Sequence, residues 1–324
     1  MAGRWSRDDA GLVFTPRFPF VRGAAYHVFR DGKPIGALRV PPVMAPPDAR
    51  VEAISPGCAE VPCNLLRVYV HFSSPMEEGW SRRALIVRRT STGEPIEDVF
   101  LDMAPELWDP TRRRLTALLD PGRIKRGLVP HLERGYPLVE GEEFEVAVLP
   151  AWRDARGRPL GQPFARRYRV GAAVRCHVDP RRWSVTVPAA GTRLPFRVTF
   201  ERALDAALAA SCLELRAPVA GAHVGRGAGE GSPGDIVRGV AQVDPDGCGW
   251  SFTPDTAWPT GSLALRVDGR LEDLAGNSVV RVFDRDLTRP EDAPREAACL
   301  VAMLAVGEQA RRPDAVTFKP CPKE

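Results

Sequence analysis

FTPDTAWPTGSLALRVDGRLEDLAGN, residues 252–277, is the stretch on which the fold turns. Phe252-Thr253-Pro254 is followed by Gly261 seven residues after the proline, with Trp258-Pro259 between them. Leu263, Leu265 and Val267 then alternate, the period-two pattern of a strand with one buried face. Asp273-Leu274-Ala275-Gly276-Asn277 closes the stretch. Asp and Asn bond their own backbone and Gly accepts positive φ, so this phrase reads as a hairpin turn.

The pattern recurs. Phe14-Thr15-Pro16 precedes Gly23 at the same offset, with Phe18-Pro19-Phe20 between them. A middle copy reads Leu119-Asp120-Pro121 and reaches Gly141 only after an insertion, Gly122 to Arg134. The glycines lead into Tyr26 and Val28, and into Phe144, Val146 and Val148. The turns Asp31-Gly32-Lys33-Pro34 and Asp154 to Pro159 follow, and further strands are expected over Ile35 to Val40, Phe164 to Val170 and Val279 to Phe283. Two units open on a second shared element: Leu66 to Phe72 before Met76-Glu77, and Phe196 to Phe200 before Leu204-Asp205, with equal spacing from Phe to the apolar bend residue.

Many short strands with frequent Gly and Pro turns predict an all-β chain of tandem β-sandwiches. The boundaries read as 1–50, a partial N-terminal β unit; 51–172 and 173–289, two complete sandwiches; and 290–324, a C-terminal tail. The partial unit holds only the last strands of a sandwich, and half a sandwich exposes its core face, so something must cover it. Ala315 to Lys319 reads as a strand able to pair back onto it; the alternative is a half lost by truncation. In the tail, Thr288, Pro290 and Glu291 suggest a helix start. Ala297, Leu300, Val301 and Leu304 fit a helical stripe, and Cys299 to Val306 fits a buried strand equally well.

These phrases resemble the bacterial Ig-like modules of S-layer and surface proteins (SbsA-like or "Big" Ig domains). The likeness rests on Phe72-Ser73-Ser74-Pro75-Met76-Glu77, Phe252-Thr253-Pro254, Gly261 and Asp273 to Asn277, and covers roughly 51–289 plus the N-terminal copy. It implies immunoglobulin-like sandwiches acting as spacers, surface-layer building blocks or binding platforms. It also implies an extracytoplasmic location, periplasm or cell surface. The insertion and the start Met1 to Asp9, which lacks the apolar core of a signal peptide, depart from that pattern and leave a cytoplasmic location open.

The 324 residues are 44% hydrophobic, enough for two or three domains without metal or disulfide staples. Net charge is only +4, and lysine occurs only at Lys33, Lys125, Lys319 and Lys323; the arginine-rich remainder reads as genomic codon bias rather than phosphate recognition, so no nucleic-acid partner is expected. No run approaches a membrane span. The seven cysteines form no C-x-x-C pair. Cys58–Cys63, Cys212–Cys248 and Cys299–Cys321 are the local pairings open to them, leaving Cys176; buried free thiols are the alternative.

No sequence signature of catalysis stands out. The five histidines show no H-x-x-x-H spacing, and no nucleophile elbow, phosphate loop or dinucleotide fingerprint occurs. Gly225 to Gly234 reads as a flexible loop. Asp98, Asp102, Glu106 and Asp109 lack calcium-loop spacing. No cofactor and no metal are therefore expected. Arg123, Lys125 and Arg126 in the insertion, near Arg112, Arg113 and Arg114, form a candidate patch for an anionic partner, against a solvated hairpin tip. Trp80, Trp108, Trp152 and Trp183 are candidate aromatic contacts for sugar rings, against core packing; Trp250 and Trp258 are read as core.

The expected function is a non-catalytic structural or protein-interaction role, the partner being another protein or a cell-surface polymer. A glycan-binding protein, predicting exposed coplanar tryptophans, and an enzyme or enzyme subunit with a cleft between modules are the alternatives.

Overall fold

In the computed structural model, residues 2–9, 11–21, 23–41, 48–217, 235–313 and 316–321 are described. The glycine-rich stretch Gly225 to Gly234 and Ala315 lie outside them. The chain divides into two compact units, Met1–Asp48 and Ala49–Glu324.

In the larger unit the alternating strands bury one face each, and two faces closing on one another give a two-layer core. This happens twice. The first sandwich sets Val51–Ser55, Arg67–Phe72, Arg114–Leu118 and Leu107–Trp108, in that order, against Glu60–Pro62, Phe164–Gly171, Glu143–Val148 and Leu85–Arg89. Val68, Val70 and Phe72 from one layer meet Phe144, Val146 and Val148 from the other. Burying each such side chain contributes about 1.5–3 kcal/mol. The second sandwich sets Ser184–Thr186, Phe196–Thr199, Gly249–Pro254 and Gly239–Val243 against Asp235–Ile236, Leu213–Ala217, Gly261–Asp268, Cys299–Val306 and Lys319–Pro320. Leu263, Leu265 and Val267 are fully buried, as their alternation requires. The chain is thus all-β, built of sandwiches.

The repeated turns have a common construction. Asp154 Oδ1 accepts the backbone N–H of Arg156 and Arg158, and Asp273 Oδ1 accepts those of Ala275 and Asn277. Gly157 and Gly276 supply the left-handed conformation, at φ +77° and +79°. Met76 bridges to Asp154 and Leu204 to Asp273. The equal Phe72–Met76 and Phe200–Leu204 spacing therefore exists because each bend docks on its own turn. Strand Phe196–Thr199 stops one residue short of Phe200, whose N–H still reaches the Cys248 carbonyl at 2.8 Å.

Several expectations are corrected. The strand over Val279 to Phe283 does not form. Ser278 Oγ accepts from Val280 and Arg281, and Asn277 Oδ1 accepts from Phe283, so local side chains take the N–H groups a ladder needs. Cys299–Val306 lies beside Gly261–Asp268 instead, with Leu304 opposite Leu263. The helical option for that stretch is thereby overturned: burial of Ala302, Leu304 and Val306 has period two, and only a 3-10 turn, Pro290–Asp292, precedes it. The tail is therefore part of the second sandwich, so that sandwich does not end at 289. Val316 joins its core, Lys319 pairs with Val301, and a disulfide joins Cys299 to Cys321. The expected pairing of this tail strand with the N-terminal sheet gives way to these contacts. Finally, the insertion is helical rather than a hairpin tip. Asp120 caps Pro121–Ile124, and Val129–Arg134 follows.

The smaller unit holds two hairpins, Gly3–Asp8 with Gly11–Pro16 and Ala25–Arg30 with Lys33–Arg39.

Candidate interaction surfaces

Strand Arg67–Phe72 turns Val68, Val70 and Phe72 into its own core and therefore presents Arg67 and Tyr69 on the other face. That face meets the second sandwich. Arg67 lies 3.4 Å from Asp205 and pairs with Glu272, and the Tyr69 hydroxyl donates to Asp205 at 2.7 Å. Asp205 also caps helix Ala206–Cys212 by accepting from Ala207 and Leu208. Burial pushes the Tyr69 phenol well above its ordinary range, with the Asp205 carboxylate adding to the rise. Glu272 is held further by Arg281. Beside this cluster, Leu66 N–H donates to Leu274 O at 2.9 Å, and Asn64 and Asn277 both donate to Val174 O. Gly57 lies so close to the second sandwich that a Cβ there would sit 1.5 Å from Pro245 O, so only glycine fits. Such buried pairs offset a large desolvation cost only when geometry is good and their remaining hydrogen bonds are made.

The basic insertion belongs to the same junction. Arg123, only 7% exposed, donates to the carbonyls of Gly135, Asp98 and Tyr136. Arg126 pairs with Asp284 at 2.7 Å, and Arg175 reaches the same carboxylate at 3.2 Å. Lys125 sits 4.5 Å over the Phe283 ring. Arg123, Lys125 and Arg126 thus hold carbonyls, a carboxylate and an aromatic face within the chain; the expected free anionic-partner patch is not what they form, because the insertion folds inward as two helical turns. The tryptophans divide similarly. Trp152 and Trp183 are buried in the two cores, and Trp108 meets Trp152 edge-on at 90°. Trp108 donates to Glu106, and Trp80 donates to Glu77 beneath the Arg153 guanidinium. The sugar platform expected of Trp80, Trp108, Trp152 and Trp183 needs parallel exposed faces, which this packing does not present.

The acidic residues are similarly engaged. Asp98 pairs with Arg134 and Asp102 with Arg82. Asp109 accepts from Thr111, Arg113 and Arg114, which hold it down at about 2 against the rise from burial. Among the described residues, no three His, Cys, Asp or Glu side chains converge as a metal site, and no helix is long and apolar enough to cross a membrane. His177 is buried and its Nε2 makes no hydrogen bond; burial lowers its pKa. Cys58, Cys63, Cys176, Cys212 and Cys248 are free thiols, and burial pushes the Cys58 thiol up to about 11.

A cleft of about 400 Å³ opens in the first sandwich, where segment 95–103 crosses from one layer to the other. Ile86, Val99, Phe100 and Leu115 line it, with Glu97, Asp102 and Glu106 also on its wall. Glu106 accepts from the N–H of Gly79 and Ser81 and from Trp108, and these bonds hold its pKa below normal although burial opposes them.

The N-terminal unit is the opposite of the junction. Trp5 is opposite Phe14 and Arg7 opposite Leu12, so one face of the first hairpin carries Trp5, Leu12, Phe14 and Pro16. Tyr26 is opposite Leu38 on the second. On these hairpins Trp5 is 57%, Leu12 73%, Phe29 61% and Ile35 63% exposed.

Sequence reasoning missed Arg67, Tyr69 and Asp284. The available signal was a bulky Arg-x-Tyr pair on the nominally solvent face of an alternating strand.

No family model and no curated protein matches the chain. Among solved structures it is similar to surface layer protein SbsC, domains 1–6, with 11% identity over 68% of this chain and a TM-score of 0.26. It is similar to S-layer protein rSbsC(31-844), with 12% identity over 68% and a TM-score of 0.27. It spans 39% of each of those chains. It is also similar to a chain in the complex of Dpr2 Ig1-Ig2 with DIP-Theta Ig1-Ig3, with 8% identity over 81% of this chain and 98% of that one, at a TM-score of 0.19. At such TM-scores none of these likenesses assigns a role to any residue of this chain.

Proposed function

We propose that the chain is a non-catalytic structural and protein-interaction element whose two sandwiches form a platform of fixed geometry. The carrying observation is the junction in which Arg67, Tyr69, Asp205 and Glu272 tie one sandwich to the other. Side chains that an active site would leave free to meet substrate are here engaged with each other. The Cys299–Cys321 disulfide fits an extracytoplasmic compartment, because such bonds persist in oxidising surroundings.

Capture from the source organism with the full chain as bait, beside an Arg67→Lys bait that keeps the charge but not the paired fork, tests this reading. A protein retained by the first and reduced on the second supports it. Equal retention by both baits, or turnover of a substrate by the purified chain, overturns it.

The cleft supports a second reading, as a binding protein for an amphipathic cation: Ile86, Val99 and Phe100 line it beside Glu97, while Asp102 is paired with Arg82 and Glu106 with N–H groups. Dodecylamine binding, followed by calorimetry, should be lost on Met103→Trp, which fills the cleft; unchanged binding would remove this reading.

A further inference from the structure

Two matched phrases face each other across the junction, Pro56-Gly57-Cys58 in the first sandwich and Asp246-Gly247-Cys248 in the second. We propose that Cys58 and Cys248 are a thiol pair that oxidises to a disulfide, fastening the two sandwiches to each other. This rests on the reading of the chain as a platform of fixed geometry and gives that fixity a covalent form.

The geometry starts from the glycines. A Cβ on Gly57 would lie 1.5 Å from Pro245 O, and one on Gly247 would lie 2.7 Å from Leu204 O. Gly57 therefore sets its backbone directly against the turn Asp244 to Gly247, which closes where Gly247 N–H donates to Asp244 O at 2.8 Å. Ser55, Pro56 and Gly57 on one side and Leu204, Asp246 and Gly247 on the other enclose only about 10 Å³, room for one water at most. Each cysteine is the residue after its glycine, so both leave the same contact. A disulfide needs Cα atoms about 4.4–6.8 Å apart, the range of backbones packed this closely. Both segments are held in place. Arg166 donates to Gly57 O, the Tyr168 hydroxyl donates to Pro56 O at 2.9 Å, and Phe200 N–H donates to Cys248 O at 2.8 Å.

The electrostatics agree. Burial is the main reason that the Cys58 thiol rises to about 11, and the Cys248 sulfur adds to that rise through its charge. Charge acts on a titrating group in this way from close by. The remaining free thiols are placed differently. Cys63 is buried in the first core and Cys212 in the second, and the pairings Cys58–Cys63 and Cys212–Cys248 are not made. Cys176 lies 3.4 Å from the Arg202 guanidinium.

The oxidant is a low-molecular-weight disulfide, for which glutathione disulfide is the probe. One protein thiolate attacks it, forming a mixed disulfide and releasing one glutathione thiolate. The second protein thiolate then attacks the protein sulfur of that mixed disulfide and releases the other. Two protein thiols are oxidised, one glutathione disulfide is reduced, and both protons end on the departing glutathiones. The thiolate is the attacking form. Asp246 faces Cys58 and, with Asp244, Cys248, and both carboxylates oppose ionisation, with the Arg166 guanidinium acting against them at Cys58. Joining should therefore be slow at neutral pH and quicken about tenfold per pH unit from about 7 to 9.

The test treats the folded full chain with glutathione disulfide at about pH 8.5, blocks remaining thiols in denaturant and maps peptides by mass spectrometry. Cleavage after Arg and Glu separates Cys58 from Cys63 at Glu60. A peptide linking Cys58 to Cys248 is expected, with the free thiols falling from the five cysteines outside the Cys299–Cys321 bond to three. Cys248→Ser should abolish the link and leave Cys58 carrying one glutathione, while Cys176→Ser should leave the link intact. Two separate glutathione adducts on Cys58 and Cys248, a link of either to Cys63 or Cys212, or five thiols still free, overturns the proposal. Any of these results beside a partner still captured by the full chain and reduced on the Arg67→Lys bait overturns the disulfide alone and leaves the platform reading standing.

Discussion

Phe14-Thr15-Pro16 and Phe252-Thr253-Pro254 are the same phrase in two different fates. Each ends a six-residue strand, Gly11–Pro16 and Gly249–Pro254. Each is followed by a positive-φ glycine, Gly23 or Gly261, and by a turn with another, Gly32 or Gly276. Yet Phe252 is buried, stacked on Trp250 at 5.9 Å and 6.2 Å from Trp258, while the one ring that Phe14 meets among the described residues is Trp5, at 4.9 Å. The difference lies in Phe196–Thr199, which pairs with Gly249–Pro254 and brings Phe196 into that core; the N-terminal unit has no such strand among its described residues. A phrase of this kind makes a strand and a turn. A core needs the other half.

The comparison breaks most sharply at Phe196. Phe196→Ala, in the closed sandwich, should cost about 4 kcal/mol in urea unfolding, while Phe18→Ala in the open unit should stay within about 0.5 kcal/mol. Equal losses would mean that the open unit is closed in solution. Next, Asp205→Ala leaves Tyr69 unpaired and helix Ala206–Cys212 uncapped, and should cost about 3 kcal/mol. Calorimetry should then resolve two transitions where the intact junction gives one. Cys321→Ser removes the 22-residue closure that ties the tail strand to the second sandwich and should cost about 2–3 kcal/mol, with the first sandwich unaffected.

The smallest effect compares the turns. Asp154 accepts from Arg156, Arg158 N–H and the Arg158 guanidinium, and these hold its pKa below 3.8 although burial opposes them. A depressed folded pKa contributes stability above the unfolded value that disappears as pH falls through the folded one. Asp154→Asn keeps the backbone bonds but sets an amide N–H₂ against the guanidinium. It should cost about 1–2 kcal/mol at pH 7, with the deficit narrowing below pH 4. A deficit that does not change with pH would mean that the Asp154 charge is not what holds the turn.

Much of the larger unit was readable from its residues. Alternation at Leu263, Leu265 and Val267 located the second core, and the Asp-x-x-Gly phrases located both turns, because period and turn chemistry are short-range. The Val279 strand misled because Asn277 and Ser278 capture its N–H groups, an interaction that hydrophobic pattern does not encode. The candidate sites were least readable. Arg123 looks like a solvent cation until three carbonyls are seen to converge on it from residues 98, 135 and 136.

By itself, then, the sequence determined strands, turns and the inward face of most strands. These follow from backbone sterics and from hydrogen bonds within a few residues. Tertiary structure alone decided that the outer face of strand Arg67–Phe72 meets the second sandwich, that the basic insertion locks that junction, and that the tail supplies a core strand. Those outcomes depend on groups more than a hundred residues apart in some pairs, as with Arg67 and Asp205, and no local pattern carries that distance.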